Sequence, residues 1–293
     1  MSAHPRDVQA RASAKLRAAG IASPQGDART LLMHATGLSA TGLLVADDVD
    51  ESTLARYEQL IAARCAGTPL QHLTGRVWFR NVELAVGPGV FVPRPETELV
   101  AGAAIEAARS TVSPLVVELC AGSGAISAAL ANEVPGVRLF AVEVDPAAAR
   151  WLRRNVTGNG VVVVEADMAD ALTELDGQVD VVVANPPYID PAERDTLPAE
   201  VRKDPDRALF AAEQGLAAIR VVGRVARRLL RPGGSVVIEH GDDQAAAVLE
   251  VLRTAGFVQA TSHGDLTGRA RYVTAVWSDL AVSGLAGDPV AES

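Results

Sequence analysis

The sequence is poor in cysteine, in aromatic residues and in long apolar runs. Two of the 293 residues are cysteines and 4% are aromatic. Cys65 and Cys120 lie far apart without the paired spacing of a zinc site, so we expect both thiols to be reduced and predict no metal site. No apolar run is long enough to span a bilayer, and the start, MSAHPRDVQARASAK, lacks the apolar core of a signal peptide. We therefore expect a cytoplasmic protein with no membrane partner.

Positive charge is also scarce. Lysine and arginine number 27 against 36 acidic residues, which gives a net charge of -9 and a pI near 5.1. This charge balance argues against a protein that binds nucleic-acid phosphates over a broad surface. We expect no stable nucleic-acid binding. We expect the partners to be proteins and small molecules, and the chain to be a monomer.

Hydrophobic residues make up 48% of the chain, enough for a large core. Near the start, Val8, Ala12 and Leu16 recur at helical-turn spacing, which predicts a small helical bundle. The alternation in TGRVWFRNVELAV on either side of Arg80-Asn81 predicts a β-hairpin. The predicted division is a helical domain at 1–72, the hairpin and a linker at 73–95, a larger domain at 96–278, and a mobile tail at 279–293.

From residue 114 onward, short apolar strands alternate with amphipathic helices. The predicted strands are LVVEL (115–119), RLFAV (138–142), VVVVE (161–165), DVVVA (180–184) and SVVIE (235–239). This pattern predicts an α/β fold whose mostly parallel, Rossmann-like sheet is covered on both faces. FVQATSH and YVTAVW follow with no helix between them, so we expect one of them to run antiparallel at the sheet edge.

A glycine-rich turn follows the first of these strands and leads directly into the helical stretch AISAALA. Glycines at such a turn let the backbone approach a ligand, and the N–H groups at a helix start suit a carboxylate or phosphate. A plain strand-to-helix connection and an NAD site are the alternatives. The candidate residues here are Glu118, Cys120, Ala121, Gly122, Ser123 and Gly124.

Acidic residues end the next two strands as well. Glu143 lies about twenty residues past the glycines, where a carboxylate can accept hydrogen bonds from both ribose hydroxyls of a nucleoside. Asp167 could accept from an adenine amino group while Met168 packs on the ring. Helix capping is the alternative role for each acid. Three such positions at successive strand ends, without a third glycine at the dinucleotide position, favour S-adenosylmethionine over a pyrophosphate cofactor.

The strand in VDVVVANPPYI stops abruptly at Asn185-Pro186-Pro187-Tyr188. Two prolines fix φ and remove two backbone donors, which leaves a rigid loop rich in acceptors. The Asn185 side-chain oxygen and the Pro186 carbonyl can accept both hydrogens of a planar NH2 group, and the Tyr188 ring can stack on the target and tolerate a passing positive charge. We predict that these four residues are the catalytic platform and that Asn185 also borders the cofactor. A structural Pro-Pro turn is the alternative.

Taken together, FVPRPETE (91–98), VVELCAGSGAISAALA, FAVEVDPAA, ANPPYI, DPDRALFA (204–211) and GGSVVIEHGDDQ resemble the HemK family over nearly the whole chain. The resemblance implies a seven-stranded class I methyltransferase fold, S-adenosylmethionine as donor, and the Gly-Gly-Gln loop of a class I peptide chain release factor as substrate. It assigns the strand-end residues above to the cofactor, and Asn185 to Tyr188 to the glutamine amide. We expect the helical domain to recognise part of the release factor, and stabilisation of the fold is the alternative.

This sequence departs from the usual pattern of the family at five positions. Cys120 and Ala121 replace Gly and Thr, Glu118 and Glu143 replace Asp, and Met168 stands where Trp is common. These replacements are conservative in role and bear on cofactor affinity more than on function.

An amide nitrogen is a poor nucleophile, and no histidine stands beside the motif as a general base, so positioning must supply most of the rate. The long segment between Tyr188 and Gln214 could fold over the incoming peptide or be a surface excursion, and we expect a structural role for His240. The alternatives in function are a ribosomal-protein glutamine methyltransferase, a DNA adenine methyltransferase, and a non-catalytic nucleoside-binding module. The DNA enzyme would need a basic groove, which this acidic chain does not indicate.

Overall fold

The computed structural model describes residues 3–278. The contacts divide the chain into two units. The helical unit runs up to Arg76 and includes Val86–Pro88 and Leu197–Lys203; the sheet unit holds Val77–Ala85, Gly89–Thr196 and the chain from Asp204 onward. The boundaries predicted at 72 and 95 stay predictions, and the predicted mobile tail at 279–293 lies outside the described residues.

From residue 3 onward the helical unit contains five α-helices, as the turn-spaced apolar residues predicted. They are α1 (Pro5–Ala18), α2 (Pro24–Thr36), α3 (Ala40–Val45), α4 (Glu51–Cys65) and α5 (Leu70–Thr74). Local sequence sets their ends: the Asp50 side chain caps α4 by accepting from the Thr53 N–H at 2.9 Å, and Gly37 ends α2 with φ +73°. Leu16, Leu31 and Tyr57 are buried between the helices.

A buried ion cluster ties the segment Leu197–Lys203 into the helical unit. Arg64 Nε donates to Asp27 Oδ2 at 2.7 Å, and the Arg64 guanidinium also donates to Glu200 Oε2 at 2.8 Å. Arg64 and Asp27 are each 6% exposed. Because a buried charge is costly unless it is paired, this cluster fixes the position of the Glu200 segment.

The predicted hairpin is confirmed. Strands β1 (Arg76–Phe79) and β2 (Val82–Ala85) form a two-stranded sheet that turns at Arg80 and Asn81. Arg80 takes a positive φ of +49° at the turn and binds Glu133 through its guanidinium, with Nε to Oε1 at 2.6 Å.

The sheet unit is built on seven strands with helices between them. The strands are β3 (Leu115–Leu119), β4 (Arg138–Glu143), β5 (Val162–Glu165), β6 (Val179–Ala184), β7 (Leu230–Glu239), β8 (Phe257–Gly264) and β9 (Ala270–Trp277). The helices are α6 (Thr97–Arg109), α7 (Ala125–Glu133), α8 (Pro146–Val156), α9 (Asp206–Leu209), α10 (Ala217–Leu229) and α11 (Ala245–Thr254). Among residues 3–278, none of these or the earlier helices combines the length and apolar content that crossing a bilayer needs.

The strand order is β5-β4-β3-β6-β7-β9-β8, with β3 to β7 parallel, so the predicted mostly parallel, Rossmann-like sheet is confirmed. The prediction of an antiparallel strand at the sheet edge was wrong in one respect. The antiparallel strand is β9, and it inserts between β7 and β8, while β8 forms the edge. The connection between β8 and β9 is a short turn, and a short turn can join only antiparallel neighbours.

Strand β3 lies at the centre of the sheet and is buried along its whole length. Side chains alternate between the two faces of a strand. Val116 therefore packs in the core beneath α6 and α7, whereas Val117 packs in the core beneath α10 and α11. Burial on both faces accounts for the near-continuous apolar runs in the sequence, and it leaves the strand ends as the place where polar residues can gather.

Candidate active site

The turn from β3 into α7 contains two glycines with different surroundings. Gly122 has φ +55° and Gly124 has φ +82°, so both adopt left-handed backbone. A methyl group on Gly124 would lie 2.5 Å from Leu152 Cδ1 on α8. A methyl group on Gly122 would meet no atom within 4 Å. Gly124 is therefore required for packing, whereas Gly122 borders open space in which a ligand could approach the backbone.

Two of the predicted residues hold this turn in place. The Ala121 N–H donates to the Val142 carbonyl at 3.0 Å, and the Ala121 side chain packs in a small core with Leu152. Ser123 is buried, and its carbonyl accepts from Asn155 Nδ2 at 2.8 Å. The turn is thus supported from inside the fold by the Ala121 side chain and by the backbone of Ala121 and Ser123.

Cys120 brings the turn next to the end of β5. Its Sγ lies 3.6 Å from the Met168 Sδ atom, and its φ of +58° is in the left-handed region that favours glycine. Burial raises the pKa of the Cys120 thiol, helped by the nearby carboxyl of Glu143, so this side chain is a neutral thiol at physiological pH.

Glu143 ends β4 and braces the glycine turn. Its Oε2 accepts from the Gly122 N–H at 2.8 Å, and its Oε1 accepts from the Asp145 N–H at 2.8 Å. Burial raises the pKa of this carboxyl, and the two backbone donors act against that shift. Each carboxylate oxygen can accept more than one hydrogen bond, so the bracing role leaves Glu143 able to accept from a ligand.

Glu118 faces α7 from the end of β3. It is 2% exposed, and its Oε2 accepts a hydrogen bond from the Ser127 hydroxyl. Burial raises the pKa of Glu118 to about 8 despite that hydrogen bond. This contact anchors the first turn of α7, and the predicted cofactor contact of Glu118 stays a prediction.

Asp167 and Met168 follow β5, at the same edge of the sheet as the glycine turn. The Asp167 side chain is exposed and accepts from the Ala169 N–H at 2.9 Å. Met168 is half-buried beside Cys120. Asp167 therefore caps a turn and not a helix, which was the alternative role, and its exposed carboxylate remains accessible to a ligand.

The Asn185-Pro186-Pro187-Tyr188 segment leaves β6 beside this turn, because Ala184 pairs with Leu119 in the sheet. Asn185 Nδ2 donates to the Thr97 Oγ1 atom at 3.2 Å, which places the Asn185 side-chain oxygen on the opposite side of the amide. Pro186 is buried and Pro187 is half-buried. The structure thus brings the predicted platform and the predicted cofactor turn to adjacent strand ends.

Tyr188 is held at both its side chain and its backbone. Its hydroxyl donates to Glu239 Oε1 at 3.2 Å, and burial raises the pKa of this hydroxyl. Its carbonyl accepts from Gln244 Nε2 at 2.8 Å. Gln244 also donates to the Gln214 carbonyl at 3.0 Å and accepts from the Gly241 N–H at 2.9 Å.

Sequence reasoning missed Thr97, Glu239 and Gln244 as supports of the platform. All three lie within stretches of the family pattern, FVPRPETE and GGSVVIEHGDDQ. The available signal was weak. Thr97 is a polar residue at a helix start and Glu239 is an acidic residue at the end of an apolar strand, but both lie far from Asn185 along the chain.

The segment after Tyr188 is more ordered than a long loop. Short 3₁₀ turns cover Pro191–Thr196 and Val201–Lys203, and α9 follows. The Ile189 N–H donates to the Leu209 carbonyl, and the Ala211 N–H donates to the Ile189 carbonyl, both at 2.9 Å. The chain next to α9 therefore pairs with the platform, and closure of this segment over a peptide stays a prediction.

Buried polar atoms without partners cluster behind Tyr188. Within the described residues, Glu239 Oε2, His240 Nε2 and Arg271 Nε are buried and make no hydrogen bond. His240 is fully buried, its N–H donates to the Arg271 carbonyl at 2.9 Å, and burial lowers the pKa of its ring. A neutral, buried imidazole at a strand end is consistent with the structural role expected for it.

Comparison with known proteins shows the family of this chain. A family model described as the PrmC N-terminal domain matches residues 7–75, and one described as the methyltransferase small domain matches residues 88–261. A release factor glutamine methyltransferase of Streptomyces coelicolor is 48% identical over 91% of this chain and 95% of its own length. The chain belongs to this family. The predicted family and enzyme class are thereby confirmed.

Two further relatives show how far the family and the fold extend. A 4-amino-L-phenylalanine/4-methylamino-L-phenylalanine methyltransferase of Streptomyces pristinaespiralis is 40% identical over 84% of this chain and 86% of its own length. The hMettl16 catalytic domain, solved in complex with the MAT2A 3'UTR hairpin 6, superposes with a TM-score of 0.53 at 17% identity over 82% of this chain and 86% of that one. The second likeness supports the methyltransferase fold alone. The fold and the family imply S-adenosylmethionine as the methyl donor.

Proposed function

We propose that this release factor glutamine methyltransferase family member transfers a methyl group from S-adenosylmethionine to the glutamine side-chain amide in the Gly-Gly-Gln motif of class I peptide chain release factors. The observation that supports this best is the position of Asn185. Its Nδ2 is engaged by Thr97 beside the glycine turn, so its Oδ1 is presented as an acceptor for an NH2 group. The intact platform also argues against a non-catalytic nucleoside-binding module.

The strand-end residues fit S-adenosylmethionine. Gly122 leaves open space over the turn, Glu143 retains acceptor capacity for ribose hydroxyls, and the exposed carboxylate of Asp167 lies beside Met168. In this proposal Glu118 and the 120–124 turn complete the binding site, and Asn185 borders it. When bound, S-adenosylmethionine supplies an electrophilic methyl group on a sulfonium.

The chain's own residues bind and orient the glutamine amide. Asn185 Oδ1 and the Pro186 carbonyl accept its two N–H hydrogens, and Tyr188 offers a ring face to the planar group. Fixed acceptors align the nitrogen and favour the positive charge that grows on it as its lone pair is used. Tyr188 cannot serve as a general base near neutral pH, because burial raises the pKa of its hydroxyl and that hydroxyl donates to Glu239.

Other nitrogen substrates fit the same acceptor pair. An aromatic amine is the kind of substrate named for the Streptomyces pristinaespiralis relative, and a ribosomal-protein glutamine or a DNA adenine presents an equivalent NH2 group. The match of residues 7–75 to the PrmC N-terminal domain favours the release factor. In this proposal the helical unit recognises that protein, and the enzyme acts as a monomer in the cytoplasm without stable nucleic-acid binding.

The test offers labelled S-adenosylmethionine with a release factor, its variant with Gln replaced by Ala in the Gly-Gly-Gln motif, a glutamine-bearing ribosomal protein, duplex DNA, or 4-amino-L-phenylalanine. We expect label only on the unmodified release factor. Asn185→Ala should lower turnover at least about a hundredfold while cofactor affinity, measured by calorimetry, changes little. The matched control Asn159→Ala alters an exposed asparagine and should leave turnover unchanged. Normal turnover in Asn185→Ala, or label on another substrate alone, would refute the proposal.

A further inference from the structure

Asn185 is connected to a buried carboxyl through Thr97. Asn185 Nδ2 donates to Thr97 Oγ1 at 3.2 Å, and Thr97 is 3% exposed at the start of α6. Glu239 is 1% exposed at the end of β7, directly after Ile238, and Ile238 pairs with Ala184, the residue before Asn185. The Thr97 hydroxyl is one of the groups that lower the pKa of Glu239 against the effect of burial. Asn185, Thr97 and Glu239 are thus a row of neighbouring polar groups inside the sheet unit, of which Asn185 and Thr97 are joined by a hydrogen bond.

The direction of hydrogen bonds along this row follows from the chemistry of its members. A hydroxyl has one hydrogen to donate, and an ionised carboxylate can only accept. Because Thr97 Oγ1 accepts from Asn185, its own hydrogen is left for another acceptor, and an ionised Glu239 offers one. Asn185 must then present its NH2 group to Thr97, which leaves its Oδ1 to the other side.

We propose that Glu239 is a positioning residue that fixes the Asn185 amide through Thr97, so that Oδ1 rather than Nδ2 is offered to the substrate. The proposal rests on the function proposed above, because only a substrate NH2 group needs an acceptor there. If the amide were reversed, Asn185 would present a donor to a donor, and the substrate nitrogen would lose one of its two fixed acceptors.

The free oxygen of Glu239 is available for this role. Its Oε1 already accepts from the Tyr188 hydroxyl at 3.2 Å, while its Oε2 is buried without a hydrogen bond. A buried unpaired oxygen is costly, and in this proposal the Thr97 hydroxyl is the donor that satisfies it. One carboxylate therefore orients both ends of the platform, Asn185 through Thr97 and Tyr188 directly.

The groups around Glu239 allow it to change charge near neutral pH. Arg271 on β9 and the hydroxyls of Thr97 and Tyr188 favour the ionised form, whereas burial and Glu96 oppose it. His240, its neighbour along the chain, is held neutral because burial lowers its pKa. The balance raises the pKa of Glu239 to about 7. A protonated Glu239 can donate to Thr97 instead of accepting from it, which reverses the direction of the hydrogen bonds between Glu239, Thr97 and Asn185.

The kinetic test compares Glu239→Gln, Thr97→Val and Thr97→Ser. Glutamine matches glutamate in shape but replaces one of the two acceptor oxygens with an NH2 donor group, so it cannot accept from the two hydroxyls on separate oxygens. We expect Glu239→Gln and Thr97→Val to lower kcat about tenfold or more, with KM for the release factor and the Kd of S-adenosylmethionine within about threefold of the parent values. Thr97→Ser should retain most of the turnover, and the control Glu174→Gln, at an exposed site, all of it.

The pH profile separates positioning from a purely structural role. In the parent enzyme kcat should fall as the pH drops below about 7, since the ionised form of Glu239 is the competent one. In Glu239→Gln this limb should be absent. Parent-like turnover in Glu239→Gln and Thr97→Val, or a Thr97→Ser variant as slow as Thr97→Val, would overturn the proposal.

A measurement without turnover distinguishes this proposal from the proposed function. The side-chain NH2 resonances of Asn185, assigned by their loss in Asn185→Ala, should show a hydrogen-bonded, slowly exchanging proton in the parent and in Thr97→Ser. They should lose that protection in Thr97→Val and shift in Glu239→Gln. Unchanged resonances in those two variants would refute the role of Glu239 even if the release factor is methylated. If no release factor is methylated, these resonances still show whether Glu239 and Thr97 fix the orientation of the Asn185 amide.

Discussion

Gly215 passes so close to Tyr188 that a methyl group on Gly215 would overlap the Tyr188 carbonyl oxygen. The same carbonyl accepts from Gln244 Nε2 at 2.8 Å. Gly215 has φ +81°, a conformation that favours glycine for a second, independent reason. The platform is therefore supported by Gly215, just before α10, and by Gln244, just before α11.

Gly215→Ala should displace the Tyr188 carbonyl and misalign the platform. We expect turnover to fall at least about tenfold, because a shift of roughly 1 Å at a reacting group can cost far more than its effect on stability. Gly177→Ala is the matched control, with φ +69° and no atom within 4 Å of the added methyl. It should cost about 1 kcal/mol of stability and leave turnover nearly unchanged. Equal turnover in the two variants would contradict the supporting role of Gly215.

The two glycines of the β3–α7 turn should respond in opposite ways to alanine. Gly124→Ala forces a methyl group against Leu152, so we expect a loss of about 2 kcal/mol or more in the free energy of unfolding, measured in urea. Gly122→Ala adds a methyl group in open space and should cost only about 1 kcal/mol of stability. Gly122→Ala should instead weaken S-adenosylmethionine binding, measured by calorimetry. Parent affinity in Gly122→Ala would place the cofactor elsewhere.

Glu118 should make the cofactor-free enzyme less stable as the pH rises. Burial raises its pKa from 4.5 to about 8 in the folded state. Between these values the folded state binds a proton that the unfolded state has lost, so the free energy of unfolding declines with increasing pH. The contribution is fully present below about pH 4.5 and is lost as the pH rises towards 8.

The difference between the parent enzyme and Glu118→Gln isolates this contribution, because the other titrating groups cancel. Measured by urea unfolding at several pH values, the stability of Glu118→Gln relative to the parent should increase from pH 5 to pH 8 by on the order of 1 to 4 kcal/mol. A difference that does not change with pH would mean that Glu118 is ionised throughout the range.

Arg64 should be critical to the helical unit through its buried pairing. Arg64→Met leaves Asp27 buried without its partner, so we expect a loss of about 3 kcal/mol or more in the free energy of unfolding. Arg29→Met, at an exposed site on α2, is the control and should change stability by less than about 0.5 kcal/mol. The double variant Asp27→Leu/Arg64→Met should recover much of the loss, because both charges are removed. If the double variant is no more stable than Arg64→Met, the unpaired charge of Asp27 is not the main cause of the loss in stability.

The sequence alone predicted the elements whose cause is local. Strands buried on both faces need continuous apolar runs, so β3, β4 and β6 were recognised within a residue or so at each end. The Arg80-Asn81 hairpin and the helices of the first unit follow from alternation and from turn spacing. Because parallel strands end at one edge of a sheet, the sequence also placed Asn185 beside the glycine turn.

Only the tertiary structure decided what holds those residues in place. Thr97 and Glu239 lie far from Asn185 along the chain, and their proximity depends on how α6 and β7 pack against β6, which no local pattern encodes. Nothing in the local sequence around Gly215 indicates that the Tyr188 carbonyl packs against it. The insertion of β9 between β7 and β8 likewise depends on competition among strand pairings. Residue type determines which hydrogen bonds are possible, whereas long-range packing selects the ones that form.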